Sequence, residues 1–247
     1  MARRMLHTAL RRGPLRFDGR LLVVALLAAI ALLILTVIVY THPYLPLDAS
    51  IERYLQGFDV GPLLYVFAFY TAVGGPLAIV AELVVFGIVL VLNYQAWRLV
   101  VAAALTSGWY LLLNHLVLRP RPSAGEVLRV TEHPGASSYP SGHTILFVTY
   151  CVVLMVCLFY RFLPRSARPV GWAIVVVLLA LGALSRIYSG AHWPTDVLAG
   201  LLIGVGWLSF VISISWISDP VLRRLPAARP DMPAVPPAVA SDAVAGT

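Results

Sequence analysis

Three short polar segments hold residues that can do chemistry. They are Arg119-Pro120-Arg121-Pro122, Pro140-Ser141-Gly142-His143, and a stretch from Ser185-Arg186 to His192 and Asp196. Phosphoryl transfer needs cations to hold the anionic group, donors at its oxygens, a nucleophile and an acid for the leaving group. Every one of those residue types is present. His192 and Asp196 are four apart, with Pro194 between them at a first helical position. A carboxylate there is expected to take the proton of one imidazole nitrogen and leave the other nitrogen free to attack. The same pair reads equally as a helix cap at a membrane surface. Ser141 suits an N-cap, and Gly142 lets the backbone come close to a ligand. The open N–H groups of a helix start attract anions, and His143 beside them is placed to protonate a leaving alkoxide. Arg121 and Arg186 add planar, bidentate donors for phosphate oxygens. Arg119 is a third such donor or an interfacial anchor.

Two other chemistries use similar residues. His143, His192 and Asp196 could form a metal site, but arginines in the same cluster repel a cation and attract an oxyanion. Ser141 with a histidine and Asp196 could form a serine hydrolase, but the Gly-x-Ser-x-Gly elbow is absent. The reading therefore requires no metal and no cofactor. Tyr188 and Trp193 are expected as apolar walls or interfacial aromatics. Glu82, inside an apolar run, is a candidate buttress for a site arginine.

The elements that must position these residues are apolar helices. The chain has 247 residues, 60% hydrophobic and 12% charged, with mean hydropathy +0.87, the profile of a polytopic membrane protein. Spans of roughly 20 residues, as a bilayer requires, are expected at about Leu21–Tyr40, Pro76–Asn93, Leu99–Leu118, Thr144–Arg161, Val170–Tyr188 and Pro194–Ile217. A shorter apolar run, Val60–Val73, is preceded by Glu52, Arg53 and Asp59 and ends at Gly74-Gly75, so it reads as an interfacial or re-entrant helix. The expected fold is all-α: a six-span bundle plus that helix. Its expected parts are a basic N-terminus (1–20), the bundle (21–217) and a Pro/Ala-rich tail (218–247) read as disordered from Pro226.

A net charge of +7 suggests nucleic-acid binding until the arginines are placed. With six spans, 13 arginines fall on one side and 5 on the other. The positive-inside rule then puts both termini in the cytoplasm of a plasma-membrane protein and all three polar segments on the outer face. Trp97, Trp172 and Trp216 would lie near the inner interface and Trp193 near the outer one. The first apolar run is too long for a cleaved signal peptide and reads as an anchor. Cys151 and Cys157, six apart on one span, form neither a disulfide nor a metal pair. Gly200-x-x-x-Gly204 reads as helix packing. The partners expected are the lipid bilayer and a lipid phosphate, with no nucleic acid.

The three segments resemble the three-part signature of the type 2 phosphatidic acid phosphatase superfamily, the lipid phosphate phosphatases. That signature is Lys-x6-Arg-Pro, then Pro-Ser-Gly-His, then Ser-Arg-x5-His-x3-Asp. The second and third parts are intact here; the first has Arg121-Pro122, but Asn114 stands at its lysine. The resemblance covers about 21–217, including Thr71-Ala72-Val73-Gly74. It implies that His192 is a nucleophile forming a phosphohistidine and that Asp196 orients it. It implies that His143 is the acid and later the base for water. Arg121, Arg186, Ser141 and Gly142 would bind phosphate, with Asn114 as a weakened donor and Arg119 as a substitute charge. The substrate implied is a phosphate or diphosphate on a membrane lipid: polyprenyl diphosphate, phosphatidylglycerol phosphate or phosphatidic acid. A lipid-linked phosphotransferase with the same intermediate and a non-catalytic lipid-phosphate binding or transport protein are the alternatives.

Overall fold

The computed structural model describes residues 15–222 apart from 133, 134 and 136. Its helices are α1 (Gly19–Thr41), α2 (Pro46–Gln56), α3 (Leu63–Gly74), α4 (Ala78–Leu92), α5 (Trp97–Ala104), α6 (Thr106–Leu116), α7 (Gly142–Leu154), α8 (Arg168–Tyr188), α9 (Pro194–Ser213) and α10 (Ser215–Leu222). Among the described residues, five helical stretches are long and apolar enough to cross a membrane: Gly19–Thr41, Tyr94–Leu116, Gly142–Phe162, Arg165–Tyr188 and Pro194–Ser213.

The sixth crossing differs from expectation. Helix α4 has 15 residues, which at 1.5 Å per residue falls short of a hydrocarbon core about 30 Å thick. It reaches span length only together with α3, to which it is joined at an 84° bend. The break falls at Gly74-Gly75-Pro76, where two residues without side chains and an imide interrupt the helical ladder. Val60–Val73 is thus the first arm of a broken span or re-entrant pair, and Pro76–Asn93 is its second arm. Helix α2 was missed in the sequence. Its polar residues Asp48, Glu52 and Gln56, four apart, are buried, while Leu47, Ile51 and Tyr54 face outward.

Helix α7 is the most buried of the long helices. Helix α9 packs against it through the expected glycine pair: a Cβ on Gly204 would lie 2.6 Å from Val148, and one on Gly200 would lie 2.8 Å from the Ser141 carbonyl. Close backbone approach of this kind is what small residues supply between membrane helices. Gly200 therefore also seats the start of α7. On its other side α9 meets α1, with Gly206 against Ala28.

One end of the bundle is tied by Asp18 N–H to the Ser213 carbonyl, Ser215 N–H to the Arg16 carbonyl, and Arg98 to the Trp216 carbonyl. Trp97 and Trp216 stack edge to face there. The three polar segments gather at the opposite end. The last span stops at Ser213, and α10 then runs to Leu222, past the expected boundary at 217. The expected disordered tail and the arginines at 3, 4, 11, 12, 223, 224 and 229 lie outside the described residues.

Candidate active site

His192 lies in the tight loop between α8 and α9. Its Nδ1 is 2.7 Å from the Ser138 carbonyl oxygen. A carbonyl only accepts, so Nδ1 carries the proton and Nε2 presents its lone pair. This corrects the expected partner. Asp196 Oδ2 is 4.0 Å from Nδ1 and accepts the Trp193 N–H instead, at 3.0 Å. Asp196 Oδ1 binds Arg119 at 2.5 Å. The carboxylate at the third helical position is used up closing the helix start, as in a capping box. Burial, followed by the nearby Arg121 and Arg186, holds the His192 imidazole well below its ordinary pKa. The ring is therefore neutral at pH 7.

His143 sits in the first turn of α7, with Nε2 3.3 Å from the Thr71 carbonyl oxygen. Its ring fills the space left by the helix break: a Cβ on Gly74 would collide with it. The two imidazoles are 6.4 Å apart between centroids. Both line one cavity of about 380 Å³, together with Arg121, Gly142, Tyr110 and Gly75. Ala78 of α4, Ser107 of α6, and Ile145 and Leu146 of α7 also line it.

The arginines have different fates. Arg121 reaches the cavity while donating to the carbonyls of Ser137 (2.6 Å), Ala191 (2.6 Å) and Gly135 (3.1 Å). Arg186 donates to Thr71 Oγ1 at 2.7 Å and to Glu132 at 2.5 Å; its Nε is buried without a partner among the described residues. Arg119 is neither a phosphate donor nor an interfacial anchor. It is fully buried between Asp196 and Asp48, the latter at 2.7 Å, and also donates to Thr195 Oγ1 and the Pro43 carbonyl. Asn114 donates to the carbonyls of Tyr139 (3.2 Å) and Ser137 (3.4 Å). Neither Arg119 nor Asn114 lines the cavity.

Ser141 occupies the N-cap position but makes no capping bond; its Oγ accepts the Thr144 hydroxyl at 3.0 Å. Gly142 accommodates the ring of Tyr110, which a Cβ would approach to 3.0 Å. The acids that pair with the site arginines are Asp48, Asp196 and Glu132; Glu82 is not among those pairs. Trp193 is no belt residue: it is buried, and its indole N–H donates to the Pro120 carbonyl at 2.9 Å. Tyr188 is buried but does not line the cavity; its hydroxyl donates to the Phe58 carbonyl at 3.0 Å.

Asp48, Glu132, Ser138 and Thr195 were not found by sequence reasoning. Only Asp48 left a signal there, as the first member of the stripe Asp48, Glu52, Gln56. Gln56 accepts the N–H groups of Leu128 and Arg129 and so seats the loop carrying Glu132. Glu52 is raised to about 9 by burial, reinforced by Asp48.

A family model described as the PAP2 superfamily matches residues 95–219. The bacitracin transport permease protein BcrC of Bacillus licheniformis is 37% identical over 91 residues, 37% of this chain and 40% of that protein. Undecaprenyl-diphosphatase BcrC of Bacillus subtilis is 32% identical over 144 residues, 55% of this chain and 69% of that protein. The chain thus spans well under half the length of the first and about two thirds of the second. The crystal structure of a transmembrane PAP2 type phosphatidylglycerolphosphate phosphatase from Bacillus subtilis shares the fold. Its TM-score is 0.61 at 20% identity, over 74% of this chain and 92% of that one.

Proposed function

The chain belongs to the PAP2 superfamily, and on that premise we propose that it hydrolyses a phosphate or diphosphate ester on a membrane lipid through a phosphohistidine. One observation carries the reading: two imidazoles and the Arg121 guanidinium line one cavity, with a carbonyl holding the proton of His192 on Nδ1. Nε2 of His192 attacks phosphorus and the bond to the lipid oxygen breaks. His143 delivers its proton to the departing alkoxide or phosphate. It then takes a proton from water, whose oxygen attacks phosphorus as the P–N bond breaks; inorganic phosphate leaves and His192 is restored. Arg121 stabilises the charge on the transferring group, and Arg186 joins it when the Glu132 contact yields.

The names of the relatives support a substrate of the polyprenyl diphosphate or phosphatidylglycerol phosphate class. The apolar residues Ala78, Ile145 and Leu146 in the cavity lining support a lipid chain beside the phosphate. The arginine distribution supports cytoplasmic termini around a 21–217 catalytic unit, with the site on the outer face of the plasma membrane.

The test is phosphate release from a panel of lipid phosphates in EDTA, comparing wild type with His192→Ala. Hydrolysis by wild type alone, with a trapped acid-labile phosphoramidate, is the expected result. Turnover that needs a divalent ion and survives the substitution overturns the mechanism; binding without turnover favours the transport alternative. Cysteine at the exposed Ser123 should react with an impermeant thiol reagent on intact spheroplasts. Labelling only after lysis reverses the orientation.

A further inference from the structure

We infer that Asn114 is a positioning residue for His192: it straps down the segment whose carbonyl orients the imidazole, and it does not bind phosphate. The inference rests on the phosphatase reading for the role of His192. It concerns the one signature position where this chain departs from the family, and it opposes the role that the departure suggests.

Asn114 lies in the last turn of α6. Both groups near its Nδ2 are carbonyl oxygens, those of Ser137 and Tyr139. Two acceptors require the amino end of the amide, which settles its orientation. These carbonyls flank that of Ser138, the acceptor of His192 Nδ1–H. The segment is tied at every residue. Ser137 Oγ donates to the Val117 carbonyl at 2.6 Å, and Arg121 donates to the Ser137 carbonyl. Ser138 N–H donates to the Arg119 carbonyl at 2.9 Å. Tyr139 hydroxyl meets Thr36 Oγ1 of α1 at 2.7 Å. Among the described residues Asn114 is the one side chain that donates to both outer carbonyls, beside Arg121 on that of Ser137 and the Ser137 hydroxyl 3.3 Å from that of Tyr139, and it thereby couples the two peptide planes on either side of the middle one. Turning those planes swings the Ser138 carbonyl away from Nδ1, and the proton is then free to move to Nε2, which removes the nucleophile.

An amide suits this place better than an ammonium. It is short enough to reach both carbonyls from the helix and brings no charge into a segment already served by Arg121. An aspartate has the same shape but only acceptors, so it would repel the two carbonyls it faces.

The test uses the full chain in detergent micelles, with three readouts on Asn114→Asp and Asn114→Lys. These are kcat and KM on the panel lipid that wild type hydrolyses, inhibition by inorganic phosphate, and 15N spectra of histidine-labelled protein with His192 assigned from His192→Ala. For Asn114→Asp we expect kcat to fall about tenfold or more, the scale of one lost hydrogen bond in the transition state. KM and phosphate inhibition should stay within about twofold, and the His192 signal should move from the Nδ1–H form to a tautomer mixture. Asn114→Lys should not tighten phosphate. The proposal is overturned if Asn114→Lys tightens inorganic phosphate about tenfold with the His192 tautomer unchanged, or if Asn114→Asp leaves that tautomer as in wild type. If Asn114→Asp does not fold, the lysine variant decides. If wild type turns over no lipid, the phosphatase reading fails, while the spectra still decide the role of Asn114.

Discussion

The two imidazoles of the cavity are backed differently. On the His192 side, the charged groups are fully engaged: Asp48 and Asp196 clamp Arg119, Thr195 and Trp193 fill their remaining oxygens, and the Ser138 carbonyl takes the imidazole proton. On the His143 side the contacts are looser. His143 is 3.3 Å from its carbonyl partner, Arg186 keeps a buried Nε without a partner among the described residues, and the carboxylate on it comes from a loop residue that is partly exposed. The contrast fits a division of labour. A nucleophile must be held in one orientation before the substrate arrives. Groups that follow the phosphate through attack and departure gain from having capacity in reserve.

The comparison can be broken hardest at Arg119. Replacing it with Leu leaves Asp48 and Asp196 buried without a cation, and breaking a buried pair costs about 3–5 kcal/mol. We expect large losses of yield and thermal stability in detergent; a variant as stable as wild type would show that the clamp is not what holds this side. Next in size is His143→Ala. General acid catalysis contributes roughly 10²–10⁴-fold, so hydrolysis of a lipid with an alkoxide leaving group should fall by that order. Hydrolysis of an aryl phosphate, whose leaving group needs little protonation, should fall far less; equal losses on both would remove His143 from the acid role.

A smaller effect sharpens the contrast at Glu132. Glu132→Gln removes the anion that competes for Arg186 but keeps a hydrogen-bond acceptor. We predict tighter inhibition by inorganic phosphate, about threefold to tenfold, the scale of one weakened charge-assisted bond, with kcat little changed. A fall in kcat at constant KM would make Glu132 part of the rigid frame instead.

A last effect, on the pH dependence of stability and not on catalysis, lies at Glu52, raised to about 9. Its folded-state pKa exceeds its unfolded value, near 4.5. The stability contributed by the bound proton is therefore complete below about 4.5 and lost as pH rises through about 9. Unfolding temperatures of wild type should decline across that window, and Glu52→Gln should lack this component of the slope. Parallel curves would mean that Glu52 is ionised in the folded protein.

Much of this protein follows from its sequence. Apolar runs of bilayer length set the helices, and the arginine and motif spacing put Arg121, His143 and His192 at helix ends facing the same side. Gly200 and Gly204 were legible as a packing seam, because small residues four apart share one face of a helix. The partners of these groups were not legible. Spacing alone makes Asp196 the natural acceptor for His192, yet the loop before α7 brings the Ser138 carbonyl closer. Arg119 and Arg121 are two residues apart, but one is enclosed by α2 and α9 while the other reaches the cavity. Helix α2 was not legible because its acids are the buried face, the reverse of a soluble amphipathic helix. Helix periodicity is a local property written into every turn of the chain. Which carbonyl meets an imidazole, and which acid meets an arginine, depends on the angles between helices and the course of a 25-residue loop (117–141), and only the folded packing sets these.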